Sequence, residues 1–165
     1  MNNYLNCNAA YDSMPPYFSW IEDRVLAASA QPFHHSHMQY LRSQGIRLLV
    51  NIDMNIPPHS NSFKHVCFSI AEHCCPTFEQ IIDFINVVLA ARDRGEPVLM
   101  QSIRGQGILA IFIACYLAVR WTCSAEAAIN SLIKIRPASF DNDIQKNNVK
   151  HFVTYWHKCH AQMNI

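Results

Sequence analysis

The chain has 165 residues, is half apolar, carries a formal net charge of +1 and contains only four glycines. That length and composition fit one folded domain with a sizeable core and exclude a disordered chain. The charges are balanced and scattered, with no run of basic residues, so the electrostatic footprint of nucleic-acid binding is missing and nothing points to a charged membrane.

In chain order, Met1 to Pro16 is polar and then proline-bearing, and residues 1–14 are expected to form a loose tail before a single domain over 15–160. Met1 to Ala10 has no apolar core and does not read as a targeting segment. Phe18-Ser19-Trp20-Ile21 and Val25-Leu26-Ala27-Ala28 are expected to be short edge strands. Phe33 to Gln44 reads as a helix with Met38 and Leu41 on one face, closed by Gly45. Ile46 to Ile52 is β-branched and apolar enough for a central strand, and Lys64 to Ile70 alternates like another. Thr77 and Gln80 form a capping box for a helix with Ile81, Phe84, Ile85 and Val88 at helical spacing, ending near Arg92 before Gly95. Pro97 to Met100 is a third buried strand, and Ile108 to Val119 is a buried helix too short to span a bilayer. Ser124 caps a helix over Ala125 to Ile135 that Arg136-Pro137 ends, and a last helix runs from Asp141 or Asp143 to about His160. Strands alternating with helices predict an α/β domain, a small central mixed sheet flanked by helices.

Seven cysteines, an odd number, with no secretory signal before them fit a reduced cytoplasmic or nuclear interior, where thiols act as small buried hydrophobes. His73-Cys74-Cys75, with Cys67, His65 or His59, gathers zinc-ligand types, but without a CxxC pair or regular spacing. His34, His35 and His37 open a helix and point in different directions. No metal and no cofactor is expected at either place. The aromatic run at Phe152, Tyr155 and Trp156 is expected to pack a terminal helix, with Trp156 the residue to test as a partner anchor. Trp20 and Trp121 are expected in or near the core.

The stretch Gln101-Ser102-Ile103-Arg104-Gly105-Gln106-Gly107-Ile108-Leu109-Ala110 joins the third strand to the buried helix. A loop in that setting turns backbone N–H groups and a helix N-terminus into one concavity, the outline of an anion site. Gly105 and Gly107 permit the tight turns. Neither the dinucleotide fingerprint nor the Lys-Ser/Thr of a nucleotide-binding loop is present.

On these residues the chain resembles the atypical dual-specificity protein tyrosine phosphatases, nearest in pattern to the small single-domain VH1-like type (dual-specificity phosphatase 23). The likeness runs from about Pro15 to Trp156. It includes Pro15-Pro16-Tyr17-Phe18-Ser19-Trp20, Gly45 to Val50, Pro57 to Ser60, Ile70 to Pro76, Arg94 to Val98, Ala114 to Leu117, Ile135-Arg136-Pro137 and Gln145. The resemblance implies a cysteine-phosphatase fold. It also implies a signature of His-Cys, five residues, Arg, then Ser or Thr. In this chain those positions hold Gln101, Ser102, Ile108 and Leu109, with Ala110 for the following Gly, and the family's general-acid Asp falls at Glu72.

Each departure removes a chemical role. A loop thiol becomes a thiolate because backbone donors lower its pKa, whereas a Ser hydroxyl needs an adjacent base, and Gln101 is not one. Isoleucine has no donors to replace the Arg fork on a phosphoryl group. Leu109 lacks the hydroxyl that assists the leaving thiolate. The residues therefore predict a pseudophosphatase without catalytic residues, acting as a protein-binding scaffold or adaptor. Arg104, Gly105, Gln106, Gly107 and Ile108 are its candidate contact residues, with Trp156 as the second place. A protein partner is expected, a homodimer is left open, and no nucleic acid or membrane is expected. Two other readings stand beside it: a phosphate- or phosphoprotein-binding module without turnover, and a residual phosphatase with Ser102 as nucleophile and Glu72 as acid.

Overall fold

A computed structural model describes residues 13–52, 56–70 and 74–161. These residues fall into two compact units, one drawn from Met1–Ser69 and Val88–Gly105, the other from Ile70–Val87 and Gln106–Ile165.

The first unit is built on a five-stranded sheet: β1 (Ser19–Glu22), β2 (Leu26–Ala30), β3 (Leu48–Asn51), β4 (Lys64–Cys67) and β5 (Val98–Ser102), in the order β1-β2-β5-β3-β4. Strand β1 runs antiparallel to β2, and every other pairing is parallel, so the sheet is mixed. Strand β5 sits in the middle, with Leu99 paired to Ala27 on one side and to Leu49 on the other. Such a strand is sealed at both edges and reads as a continuous apolar run, as Val98-Leu99-Met100 does.

Strand β2 corrects an expectation. It is an interior strand, buried along its whole length, and not an edge. Its Leu-Ala-Ala-Ser-Ala sequence lacks the bulky β-branched residues that mark a central strand, because its small side chains pack under close neighbours. The edges are β1 and β4, and β4 ends at Cys67 rather than Ile70.

Helix α1 (His35–Ser43) lays Met38 and Leu41 into a cluster with Ala27, Ile46, Leu49, Phe63 and Leu99, against which Phe18, Trp20 and Tyr40 pack. Gly45 follows with φ 81°, and its N–H reaches the Arg42 carbonyl at 2.9 Å, as a C-terminal cap should.

The second unit is helical. Helix α2 (Phe78–Asp93) begins in it and ends in the first. Its start is the expected capping box: the Gln80 N–H donates to Thr77 Oγ1 at 3.2 Å, and the Thr77 N–H to Gln80 Oε1 at 3.0 Å. Helix α3 (Ile108–Arg120) is buried on every side from Leu109 to Ala118, the pattern of a helix inside a core. Phe84 of α2 meets Phe112 edge-on at 5.3 Å. Helix α4 (Ala125–Ile135) is capped by Ser124, whose Oγ accepts the Ala127 N–H at 3.2 Å. Helix α5 (Asp143–Ala161) buries Val149, Phe152 and Val153.

Two aromatic residues expected inside lie outside. Tyr155 is 42% exposed and leans on Phe78, and Trp121 is 45% exposed at the end of α3. Helical spacing places Tyr155 just past the buried stripe of Phe152 and Val153.

His37, in the first turn of α1, is nearly buried, and its Nδ1 accepts the Phe33 N–H at 3.3 Å. That bond requires an unprotonated Nδ1. Burial, and then the neighbouring His34, push the imidazole below its usual 6.5. The folded chain thus binds a proton at His37 less readily than the unfolded chain does. Stability is whole above pH 6.5 and falls as acid carries the pH down toward the folded value. Urea midpoints between about pH 7.5 and 5.5 are expected to drop, and to drop less in His37→Gln. Equal slopes in the two proteins would show that His37 is not the group responsible.

Candidate functional site

The loop of interest leaves the end of β5. Gln101, the strand's fourth residue, is 2% exposed, and its Nε2 donates to Asn51 Oδ1 on β3. Asn51 in turn directs its Nδ2 at His65 Nδ1, 3.5 Å away, and at Cys67 Sγ, 3.4 Å away. His65 Nε2 lies 3.1 Å from the Ser60 carbonyl, which assigns the proton to Nε2 and the acceptor role to Nδ1. Gln101 Oε1 is buried with no hydrogen-bond partner among the described residues. The result is an amide–imidazole–thiol network behind the loop, with an amide where the resembled family has an imidazole.

Ser102 is half-buried, and its Oγ accepts the Gly105 N–H at 3.0 Å. A loop donor of the kind that would serve an anion is therefore turned onto the hydroxyl. The adjacent Gln101 amide cannot take the hydroxyl proton. Gly105 has φ 69°, and a Cβ there would lie 2.6 Å from the Ala30 backbone nitrogen. Only glycine fits both the dihedral and the space.

Gly107 precedes α3 with φ 71°, and its N–H donates to the Ser139 carbonyl at 2.8 Å. Its open face is covered by the Asp141 carboxylate, and a Cβ there would also come within 3.2 Å of Gln145 Nε2. Asp141 is held by the cap of α5. Gln145 Oε1 accepts the Asp141 N–H at 2.8 Å, Gln145 Nε2 donates to Asp141 Oδ2 at 3.3 Å, and Asn142 Oδ1 accepts the Gln145 N–H at 3.1 Å. Upstream, the carbonyl of the buried Arg136 accepts the Ser139 N–H, which sets the turn that meets Gly107. Burial pushes the Arg136 guanidinium down to about 10.

A cleft of about 380 Å³ opens beside these groups, lined by Cys74, Cys75, Ile108, Asp141, Asn142, Ile144 and Gln145. Ile108 contributes an apolar wall from the first turn of α3, and Ile144, 70% exposed, stands on the first turn of α5. The Cys75 thiol is pushed up by burial and by Cys74 beside it, so it is not an activated nucleophile.

Of the residues singled out from sequence, Ile108 lines this cleft. Arg104 is exposed on the loop, Gln106 is half-buried, and Gly105 is buried against Ala30. Leu109, 1% exposed, belongs to the core and not to a site. Trp156 lies on α5, stacked on Phe152 at 6.0 Å and on His160 at 3.7 Å, and takes no part in the cleft. Glu72 and His73 lie outside the described residues. Among the described residues no group of three or more His, Cys, Asp or Glu side chains is placed to hold a metal ion.

Sequence reasoning missed Asp141 and Asn142. The signal was there in Asn142-Asp143-Ile144-Gln145, a capping pattern, but the long-range contact of its neighbour Asp141 with Gly107 has no local trace. The two glycines are expected to differ when replaced. Gly105→Ala should cost about 1–3 kcal/mol for its dihedral and a similar amount for the collision with backbone. Gly107→Ala carries its own dihedral cost at φ 71°, but its collision is with the Asp141 and Gln145 side chains rather than with backbone, so the collision should cost less. Denaturant unfolding of both variants checks this, and a more damaging Gly107→Ala would overturn the placement of Gly105.

A family model described as "Swiss Army Knife protein, DSP-PTPase phosphatase domain" (PTP-SAK) matches residues 15–149. Among solved structures, PTPMT1 is similar with a TM-score of 0.78 at 17% identity, over 88% of this chain and 99% of that one. A mouse putative dual specificity phosphatase complexed with zinc tungstate is similar with a TM-score of 0.76 at 16% identity, over 89% and 92%. The human tyrosine phosphatase-like serine/threonine/tyrosine-interacting protein is similar with a TM-score of 0.73 at 14% identity, over 87% and 97%. The mixed five-stranded sheet and the helices described above are the α/β architecture these structures share. By its sequence match over 15–149 and by its fold, the chain belongs to the DSP-PTPase phosphatase domain family.

Proposed function

We propose that this chain is a catalytically inactive member of its family, a pseudophosphatase that works by binding another protein as a scaffold or adaptor. The observation that carries the reading is Ile108. It stands at the signature's Arg position and walls the cleft beside the Asp141 carboxylate. Phosphoryl transfer depends on donors aimed at developing negative charge. Here an apolar side chain and a carboxylate occupy that neighbourhood. Ser102 at the nucleophile position accepts a loop N–H and has an amide, not a base, as its neighbour in sequence.

The kinship with the VH1-like, dual-specificity phosphatase 23 type and a reduced cytoplasmic or nuclear setting belong to the same proposal. Cys67, Cys74, Cys75, Cys115, Cys123 and Cys159 are all free thiols, which fits such a setting. Among the described residues no helix is long and apolar enough to cross a membrane. The human neighbour is named a phosphatase-like interacting protein, and that name supports a binding role for a chain of this fold.

A phosphate-binding module without turnover is disfavoured by two observations. The Gly107 N–H is already donated to Ser139, and a carboxylate covers that face. The test is hydrolysis of p-nitrophenyl phosphate and of a phosphotyrosine peptide by the purified chain. The expected result is no release of phosphate above buffer, and no difference between the chain and Ser102→Ala. Turnover that Ser102→Ala abolishes would replace this reading with that of a serine-dependent phosphatase.

A further inference from the structure

The basic residues are scattered in sequence, but the sheet topology gathers some of them. Arg47 precedes β3 and Lys64 opens β4, and the Lys64 N–H donates to the Arg47 carbonyl at 3.1 Å. The Arg47 N–H donates in turn to the carbonyl of Pro97, just before β5, at 2.9 Å. Arg94 and Glu96 stand in the connection from α2 to β5, where the Glu96 carboxylate takes the Lys64 ammonium and, at 2.9 Å, the Arg94 guanidinium. Arg42, in the last turn of α1, reaches the Ser62 hydroxyl at 2.9 Å and lies over the ring of Phe63, the residue before Lys64. Four exposed cations are thus held together where the parallel strands β3, β4 and β5 begin, at the opposite end of the sheet from the loop that follows β5.

Their charge is not cancelled within the unit. Hydrogen bonds from Lys64 and Arg94 hold the Glu96 carboxyl below its usual range, so it stays ionised, but it is one carboxylate shared by two cations. Among the described residues the guanidiniums of Arg42 and Arg47 meet no carboxylate: Arg42 has Ser62 and the face of Phe63, and Arg47 has the Ile46 carbonyl. Arg92 pairs with Asp93 and adds nothing to the excess. The acids Glu22 and Asp23 stand at the β1–β2 turn, toward the other edge of the sheet.

An uncompensated positive surface attracts a partner that carries negative charge. A membrane-docking face adds exposed apolar side chains, and none of the exposed large apolar residues belongs to these segments. A single-stranded nucleic acid is held by exposed aromatic faces beside the cations, and here Phe63 is 7% exposed, with the Glu96 carboxylate among the cations. Carboxylates need neither device, and a guanidinium fork meets a carboxylate two oxygens at a time.

We infer that the surface formed by Arg42, Arg47, Lys64 and Arg94 docks an acidic segment of a partner protein, whose Asp or Glu side chains bond to the Arg42 and Arg47 guanidiniums. This inference rests on the reading of the chain as a protein-binding adaptor, and it names a contact surface and the partner's chemistry.

The test is fluorescence anisotropy with the full chain and two short labelled peptides, one rich in glutamate and one with glutamines in their place. The glutamate peptide is expected to bind about tenfold or more tightly than the glutamine one, with the difference shrinking as salt is raised toward about 0.5 M. Arg47→Glu changes an exposed side chain, so it is expected to weaken binding about fivefold or more with an unchanged melting curve. Lys134→Glu makes the same change of net charge at an exposed position of α4, and is expected to leave binding within about twofold. Equal binding of the two peptides, indifference to Arg47→Glu, or an equal loss in Lys134→Glu would overturn the inference. So would tighter, Arg47-dependent binding of a single-stranded oligonucleotide or of phosphatidylserine vesicles, which would make the partner a nucleic acid or a membrane. The failures are distinguishable. Peptide binding that ignores Arg47 removes this surface and leaves the adaptor reading, whereas release of phosphate from p-nitrophenyl phosphate overturns the adaptor reading and leaves the surface to be decided by the peptides.

Discussion

Strand β5 is held on both edges by parallel neighbours, in continuous register with β3 from Val98 to Gln101 and with β2 from Val98 to Ser102. The loop that follows begins where that strand stops. Its departure point is set by backbone pairing and by burial of Val98, Leu99 and Met100, none of which depends on what stands at 102 or 108. Gly105 then seats against the Ala30 backbone, at the end of the strand that pairs with β5 on its other edge. The frame of the loop is therefore maintained by hydrophobic burial and strand pairing, independently of the few side chains grafted on it.

An anion site is made by donors, and the donors around this loop can be counted. A charge-assisted hydrogen bond to an anion contributes about 1.5–3 kcal/mol. With the Gly107 N–H already bonded and Ile108 supplying no donor, two of the contacts that a phosphate would need are missing. The same arrangement is also self-supporting. Asp141 is fixed by Gln145, which is fixed by Asn142 at the start of α5, so the carboxylate does not depend on a ligand for its position.

Much of this is legible in the sequence where the determinants are local. Thr77 with Gln80, Ser124 before Ala125 and the apolar run from Ile108 each name a helix through neighbours within one turn. The signature departures at Gln101, Ser102, Ile108 and Leu109 are equally plain, since they need only a register. Features made by distant segments cannot be read in this way. Strand β2 looks like an edge because its alanines are small, and only its pairing with both β1 and β5 reveals it as interior. The carboxylate over Gly107 comes from a segment more than thirty positions downstream. The network from Gln101 through Asn51 to His65 joins three strands that sequence alone does not align. Leu109 holds a signature position, while its direction on α3 sends it into the core.

The central proposal is that the loop after β5 does not accept an anion. Calorimetric titration of the intact chain with tungstate, a tetrahedral oxyanion with the shape of phosphate, tests it most directly. The expected result is no saturable heat at millimolar tungstate. A one-to-one isotherm that Ser102→Ala or Gly107→Ala weakens would contradict it, and would show that the loop still binds an anion despite Ile108 and Asp141.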